Sequence, residues 1–235
     1  MSATLLGDGL PEGFVFLSNI DASIIEHVSY WGEQNFIGRQ INGYTVNKII
    51  CTLQAAQGLK KAHDFFKELG YNLVVYDGYR PGRAVQDFQA WGRDLSDTRM
   101  QKYYYPTIPK EKLFELGFIA AKHSTHSRGS TFDLTLIESS KSLQKVAYVD
   151  CCLQDGSVVP FLDDNTVDMG TSFDFFHSAS WHDSSLISQE QLKMRNLLRL
   201  GMVKSGFAQY QFEWWHYTMI NEPYPDKYFD FVVEL

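Results

Sequence analysis

The sequence predicts an α+β fold, a single domain over residues 1–235 with a central antiparallel sheet flanked by helices. Three observations predict it. Several stretches carry apolar residues at helical spacing and end on clear stop signals. Short runs rich in aromatic and β-branched residues read as strands. Helices and strands also fail to alternate in the regular order of a parallel βαβ sheet. A length of 235 residues suits one large domain or two small ones, and no internal linker argues for two.

The elements follow in order. Residues 52–69 read as a helix, with Ala55, Leu59, Ala62, Phe66 and Leu69 on one face and Gly70 at the stop. Residues 71–76 (YNLVVY) read as a strand leaving through Asp77-Gly78-Tyr79-Arg80. Pro81 suits the first turn of a helix running to about Trp91, which puts Arg80 at a rigid strand-to-helix corner. Residues 132–137 alternate, with Phe132, Leu134 and Leu136 on one face and Thr131, Asp133 and Thr135 on the other. Residues 138–187 read as loop-rich, with a turn at Asp163-Asp164-Asn165. Ser188-Gln189-Glu190-Gln191 forms a capping box, with Ile187 and Leu192 placed as a hydrophobic staple. Its helix runs to about Lys204 and stops at Gly206, and residues 207–220 read as the last organised segment, an aromatic strand.

Composition is that of an ordinary globular chain, 44% hydrophobic and 21% charged. Aromatics reach 15%, enough to fill a core and still line a pocket. A net charge of −7 argues against a nucleic-acid partner, which would need clustered Lys and Arg. No apolar run approaches the roughly eighteen residues of a membrane helix. Met1 to Phe16 contains Asp8 and Glu12 and lacks a basic start, so it does not read as a signal peptide. Three cysteines, two of them the adjacent Cys151 and Cys152, read as reduced thiols. They favour a cytoplasmic location, or a periplasmic one if a leader has been removed.

The chemistry lies in two segments about ninety residues apart. Ser124-Thr125-His126-Ser127-Arg128-Gly129-Ser130-Thr131-Phe132-Asp133 is followed by Phe212-Glu213-Trp214-Trp215-His216. His126, Asp133 and His216 supply two imidazoles and a carboxylate, the ligand set of an open catalytic metal site. His126 and Asp133 would fall on opposite faces of one continuous strand, and Gly129 can break it so that both reach one centre. Glu213 stands where a general base is wanted, which requires it to lie in the turn entering the strand rather than on it. Each residue alone has an ordinary reading: a structural histidine, a strand-face carboxylate, core tryptophans. No HExxH, CxxC, phosphate-loop or nucleophile-elbow motif competes with the set.

The pattern S-x-H-x-x-G-x-x-x-D followed by E-W-W-H resembles the D-alanyl-D-alanine dipeptidases of the vancomycin-resistance type. These belong to a zinc peptidase superfamily that also holds D-Ala-D-Ala carboxypeptidases and the Hedgehog signalling domain. The match continues through Asn35-Phe36, Asn42-Gly43-Tyr44, Asp77-Gly78-Tyr79-Arg80-Pro81 and Met169-Gly170-Thr171-Ser172-Phe173-Asp174, and is strongest over residues 30–217. It implies a Hedgehog/DD-peptidase-like fold and one zinc ion per chain on His126, Asp133 and His216. It further implies that Glu213 is the acid/base and that Arg80 stabilises charge on the scissile carbonyl oxygen. Asp174 matches the position that receives the dipeptide's ammonium, Ser124 sits where a hydroxyl can help it, and Tyr30 falls near the substrate. The usual Trp-Asp after that tyrosine is here Glu33-Gln34, and Thr131 replaces a common alanine on the face of Asp133.

The resemblance therefore implies zinc-dependent hydrolysis of D-Ala-D-Ala, a small dipeptide partner, to two D-alanines. Two alternatives stand beside it. One is a D,D- or L,D-carboxypeptidase acting on longer peptidoglycan peptides. The other is a zinc-holding binding module without catalysis, against which the presence of both Glu213 and Arg80 speaks.

Overall fold

Strand β1 (Phe14–Phe16) pairs antiparallel with β3 (Ile50–Thr52), and between them in sequence comes the two-residue β2 (Ile25–Glu26). This computed structural model describes residues 9–235, so the leader reading of residues 1–8 lies outside the described residues. Helix α1 (Leu53–Glu68) starts where Thr52 Oγ1 accepts from the Ala55 N–H, satisfying one of the free donors of the first turn. Ala55, Leu59, Ala62 and Phe66 of the expected face are buried, whereas Leu69, which follows the last helical turn, is exposed. The chain returns through β4 (Tyr71–Asp77), then α2 (Gly82–Arg93) and the short α3 (Gln101–Tyr104). Pro81 caps α2 from just outside it rather than sitting in its first turn.

β5 (Thr131–Glu138) is the central strand of a five-stranded sheet ordered β2-β4-β5-β9-β8, where β8 is Phe207–Gln209 and β9 is His216–Met219. Both faces of β5 are buried, so its alternation separates two buried faces and leaves no solvent face. The sheet is mixed, which corrects the expected antiparallel one. β2 runs parallel to β4, and the other neighbours pair antiparallel. The reason is the connection: β2 and β4 are joined through α1, a crossover that brings the chain back in the same direction.

Three more expectations are corrected. Residues 207–220 do not form one strand. They fold into the β8–β9 hairpin, whose turn is closed by Tyr210 N–H donating to the His216 carbonyl and Glu213 N–H to the Tyr210 carbonyl. The 138–187 stretch contains an antiparallel hairpin, β6 (Ala147–Cys152) and β7 (Val158–Asp163), so Asp163 ends a strand, and of the expected turn cluster Asn165 alone is left-handed, at φ 75°. Order also continues past Ile220. Phe229 and Phe231 pack edge-on against Phe14, and Val233 forms a parallel bridge with Tyr44.

The last helix, α4 (Gln189–Lys204), carries the expected capping box, with Ser188 and Gln191 exchanging side-chain and backbone hydrogen bonds. α4 crosses α1 at Gly201, where any side chain would run into Phe66. Cys51, Cys151 and Cys152 are all free thiols. No helix among the described residues is long and apolar enough to cross a membrane.

Candidate active site

Three neighbouring strands bring three polar side chains into one row. A register shift between Val75 and Asp77 in β4 sets Asp77 opposite Asp133 of β5, and Asp133 lies opposite His216 of β9. Directly opposed residues of paired strands share a face. His126 reaches the row from a single helical turn, Thr125–Arg128, that precedes β5. Ser124 caps this turn by accepting the His126 N–H at 3.3 Å. Gly129 closes it at φ 84°, packed so tightly under Phe14 that a Cβ would collide with the ring. The expected break between His126 and Asp133 is therefore at Gly129.

His126 Nε2, His216 Nδ1 and the Asp133 carboxylate converge. His126 Nε2 lies 3.3 Å from His216 Nδ1 and 3.2 Å from Asp133 Oδ2, and His216 Nδ1 lies 3.1 Å from Asp133 Oδ1. One ligand atom from each residue fits within a 4.8 Å cluster. A tetrahedral ion bonded at about 2.0–2.1 Å would set its ligand atoms about 3.3 Å apart, so the spacing fits a metal of that class. The outer contacts fit as well. His126 Nδ1–H donates to the Gly78 carbonyl at 2.8 Å, which leaves Nε2 with a free lone pair. His216 Nε2 is held by Thr125 Oγ1 at 3.3 Å, leaving Nδ1 to face the centre. Asp133 Oδ1 is buried and has no hydrogen-bond partner among the described residues, the state expected of an oxygen meant for a cation.

The electrostatics follow from burial. Burial alone would raise Asp133, yet His126 and His216 beside it hold it well below the usual carboxylate range. Burial lowers His126, favouring the neutral imidazole that a metal ligand needs. Glu213 sits in the hairpin turn before β9, where the sequence places it, with Oε2 3.3 Å from His216 Nδ1. Burial pushes its carboxyl up to about 7, against the pull of His216.

Arg80 donates through Nε to Asp77 Oδ2 at 2.9 Å and through Nη2 to Asp133 Oδ2 at 3.2 Å. Its guanidinium also rests between the Tyr30 and Phe88 rings, 5.1 Å from each centroid. Asp77 in turn accepts from Tyr44 Oη at 2.8 Å. Arg80 is thus fixed by two carboxylates and still lines the cavity.

That cavity, about 300 Å³, is also lined by Tyr30, Ser124, Asp174, Glu213 and Trp215. This is the low end for a small-molecule site. Asp174 adopts φ 58°, a left-handed conformation uncommon for a residue other than glycine. It accepts from Tyr30 Oη at 2.8 Å. Burial and the nearby Asp133 charge push Asp174 well above its ordinary value, despite that hydrogen bond. A buried carboxylate held this way favours a cationic partner. Thr131 does not crowd the site. It is fully buried, its hydroxyl 2.9 Å from Thr218 Oγ1 on β9. Trp214 packs behind the site, its indole N–H donating to Thr171 Oγ1 at 2.9 Å.

All eight residues expected at the site gather around one cavity. Two supporting residues had no expected role. Asp77 stood inside the Asp-Gly-Tyr-Arg-Pro motif, which was the available signal, but its role depends on the β4 register shift. Thr125 stood beside the motif histidine with no local signal at all.

Known proteins resemble the chain across most of its length. A family model described as D-ala-D-ala dipeptidase matches residues 11–234. The D-alanyl-D-alanine dipeptidase of Enterococcus faecium is 38% identical over 222 residues, covering 94% of this chain and 98% of that protein. The D-alanyl-D-alanine dipeptidase of Streptomyces coelicolor is 34% identical over 220 residues, covering 94% of this chain and 98% of the relative. A D-alanyl-D-alanine dipeptidase of Escherichia coli is more distant, at 24% identity over 192 residues. With residues 11–234 matched by the family model and relatives at 34–38% identity over most of the chain, the chain belongs to the D-Ala-D-Ala dipeptidase family of metallopeptidases.

Proposed function

We propose that this chain is one zinc peptidase domain of the Hedgehog/DD-peptidase-like fold that hydrolyses D-alanyl-D-alanine to two D-alanines. The observation that supports this most is the convergence of His126 Nε2, His216 Nδ1 and Asp133 beside Glu213 in a cavity sized for a small ligand. The three residues would hold one zinc, since two imidazoles and one carboxylate are a usual catalytic zinc set. The chemistry supplied there by a bound zinc is Lewis-acid polarisation of a carbonyl and acidification of a water toward a pKa of roughly 7. Free thiols at all three cysteines fit a reducing compartment such as the cytoplasm.

The chain's own groups do the rest. Glu213, pushed up to about 7, is poised to take a proton from the attacking water and return it to the leaving amine. Arg80, immobilised by Asp77, presents a fixed cation to the carbonyl oxygen as negative charge develops there. One such donor is worth about 3–4 kcal/mol in comparable sites. Asp174, with the Tyr30 hydroxyl, receives the free ammonium of the dipeptide, and the Ser124 hydroxyl adds a polar contact on the same wall.

A second reading has one observation in its favour. A groove of about 630 Å³ adjoins the cavity, shares Gly117, Phe118, Tyr210 and Glu213 with it, and is walled by Trp181 and Phe212. Such room would suit a carboxypeptidase acting on longer peptides. Hydrolysis of D-Ala-D-Ala measured against its N-acylated form separates the two. The dipeptidase reading expects the free amine to be preferred by at least about a hundredfold. Equal rates, or preference for the acylated peptide, would support the carboxypeptidase instead.

A further inference from the structure

Arg195 of α4 is 0% exposed, and its hydrogen bonds go to main-chain carbonyls instead of a carboxylate. Nε donates to the Met169 carbonyl at 2.6 Å and Nη2 to that of Ala179 at 2.9 Å. Nη1 donates to the carbonyls of Trp181 at 2.6 Å and His182 at 3.4 Å. A buried guanidinium needs such partners to offset its lost hydration, and its planar fork serves several carbonyls at once in fixed directions. Gln191, one helical turn earlier on the same face, donates to Asp168 Oδ2 at 2.9 Å. The two residues together pin both ends of the segment 168–182.

Asp174 lies in the middle of that segment. Its left-handed backbone is held by local ties: Ser180 Oγ donates to the Phe175 carbonyl at 2.6 Å and stands 3.0 Å from Thr171 Oγ1. The same segment is stitched to the hairpin turn that carries Glu213. The Trp214 N–H donates to the Ser180 carbonyl at 3.0 Å, and its indole N–H donates to Thr171 Oγ1 at 2.9 Å. The His182 N–H donates to the Gln211 carbonyl at 3.0 Å. Arg195 touches neither Asp174 nor Glu213, yet it closes the loop that joins them.

We infer that Arg195 is a positioning residue. Clamping carbonyls at both ends of the 168–182 segment, it sets where the ammonium-binding Asp174 stands relative to Glu213 and the metal ligands. The inference rests on the dipeptidase reading above. Its effect falls mainly on substrate capture, because the Glu213 turn is also held by the β8–β9 pairing while Asp174 depends on the segment.

The test is steady-state kinetics of the metal-loaded full chain with D-Ala-D-Ala. It compares wild type with Arg195→Lys, which keeps the charge and loses the fork, and with Trp214→Phe, which keeps a ring and loses the Thr171 tie. Both variants should raise KM about tenfold or more while kcat falls less than about threefold. Propionyl-D-alanine, which has no amine for Asp174, should inhibit wild type and Arg195→Lys with Ki values within about threefold. A merely structural arginine would lower Tm and leave KM within about twofold, and that result in either folded variant would overturn the inference. A wild type that does not hydrolyse D-Ala-D-Ala overturns the dipeptidase reading itself. Should Arg195→Lys not fold, Trp214→Phe decides the matter.

Discussion

Asp133 on β5 stands directly opposite His216 on β9, and the sheet register alone brings Asp133 Oδ1 to 3.1 Å from His216 Nδ1. A pairing deep in a buried sheet is stiff, so two of the three proposed metal ligands are set by the fold itself. His126 is the third, delivered by the turn that Gly129 closes.

That division between ligands and base predicts two different failures. His216→Ala should lower bound zinc well below one per chain. Glu213→Ala should keep the zinc and lose about 10²- to 10⁴-fold in kcat. Metal analysis beside D-alanine release checks both. Unchanged zinc in the first variant, or wild-type turnover in the second, would contradict the assignments.

Asp174 should govern recognition of the amine. Asp174→Asn removes the charge while keeping its shape and its bond from Tyr30. KM for D-Ala-D-Ala should rise by about tenfold to a hundredfold, the loss of about 1.5–3 kcal/mol expected for a charge-assisted hydrogen bond. The Ki of an amine-free analogue should stay near wild type. Parallel rises in both constants would point to general disruption of the cavity.

Asp77 is fully buried and ties Arg80 to Tyr44. Asp77→Asn should lower kcat/KM by about tenfold to a hundredfold, as for other outer partners of a metal site. It should also cost about 1–3 kcal/mol of stability, since an uncharged amide offers one acceptor oxygen where the carboxylate serves both Tyr44 and Arg80. Thermal unfolding and steady-state rates read the two effects separately. A variant with wild-type values of both would show that Asp77 does not hold Arg80 in place.

The pH dependence follows from Glu213. Burial raises its carboxyl to about 7, and a base must be ionised, so kcat/KM should rise with pH. A cation bound beside it favours the carboxylate, which draws the acid limb below that value. Glu213→Gln should abolish this limb in whatever activity remains. An unmoved limb in that variant would assign it to another group.

Gly129 tests the backbone argument. At φ 84°, with Phe14 packed on its Cα, Gly129→Ala should cost more than about 1–2 kcal/mol through strain and collision together. Chemical denaturation measures it. Stability equal to wild type would mean that the turn tolerates a side chain and that His126 is placed some other way.

Much of this site could be read from residue order because its working groups sit in local signals. His126 and Asp133 flank a glycine, Glu213 precedes His216 by three residues, and Arg80 stands between a strand and a proline. Asp174 and Tyr30 entered only through resemblance, and the hydrogen bond that couples them spans 144 residues. Asp77 joins its near neighbour Arg80 to the more distant Tyr44, Thr125 meets His216 across 91 residues, and Arg195 reaches carbonyls outside its own helix, and no periodicity reports such contacts. The fold shows the same limit. Helices α1, α2 and α4 announce themselves by period and caps, whereas β2 has two residues and gains its parallel partner only through α1. The β6–β7 hairpin carries exposed apolar side chains such as Tyr148 and Val158, so the buried-face pattern that marks a strand is missing there.

The most direct measurement is release of D-alanine from D-Ala-D-Ala by the purified chain, with zinc, after chelation, and after zinc is restored. Zinc-dependent production of two D-alanines per dipeptide, lost on chelation and regained on reloading, is the predicted result. Absence of hydrolysis in the zinc-loaded protein, or a rate indifferent to chelation that has removed the metal, would contradict it.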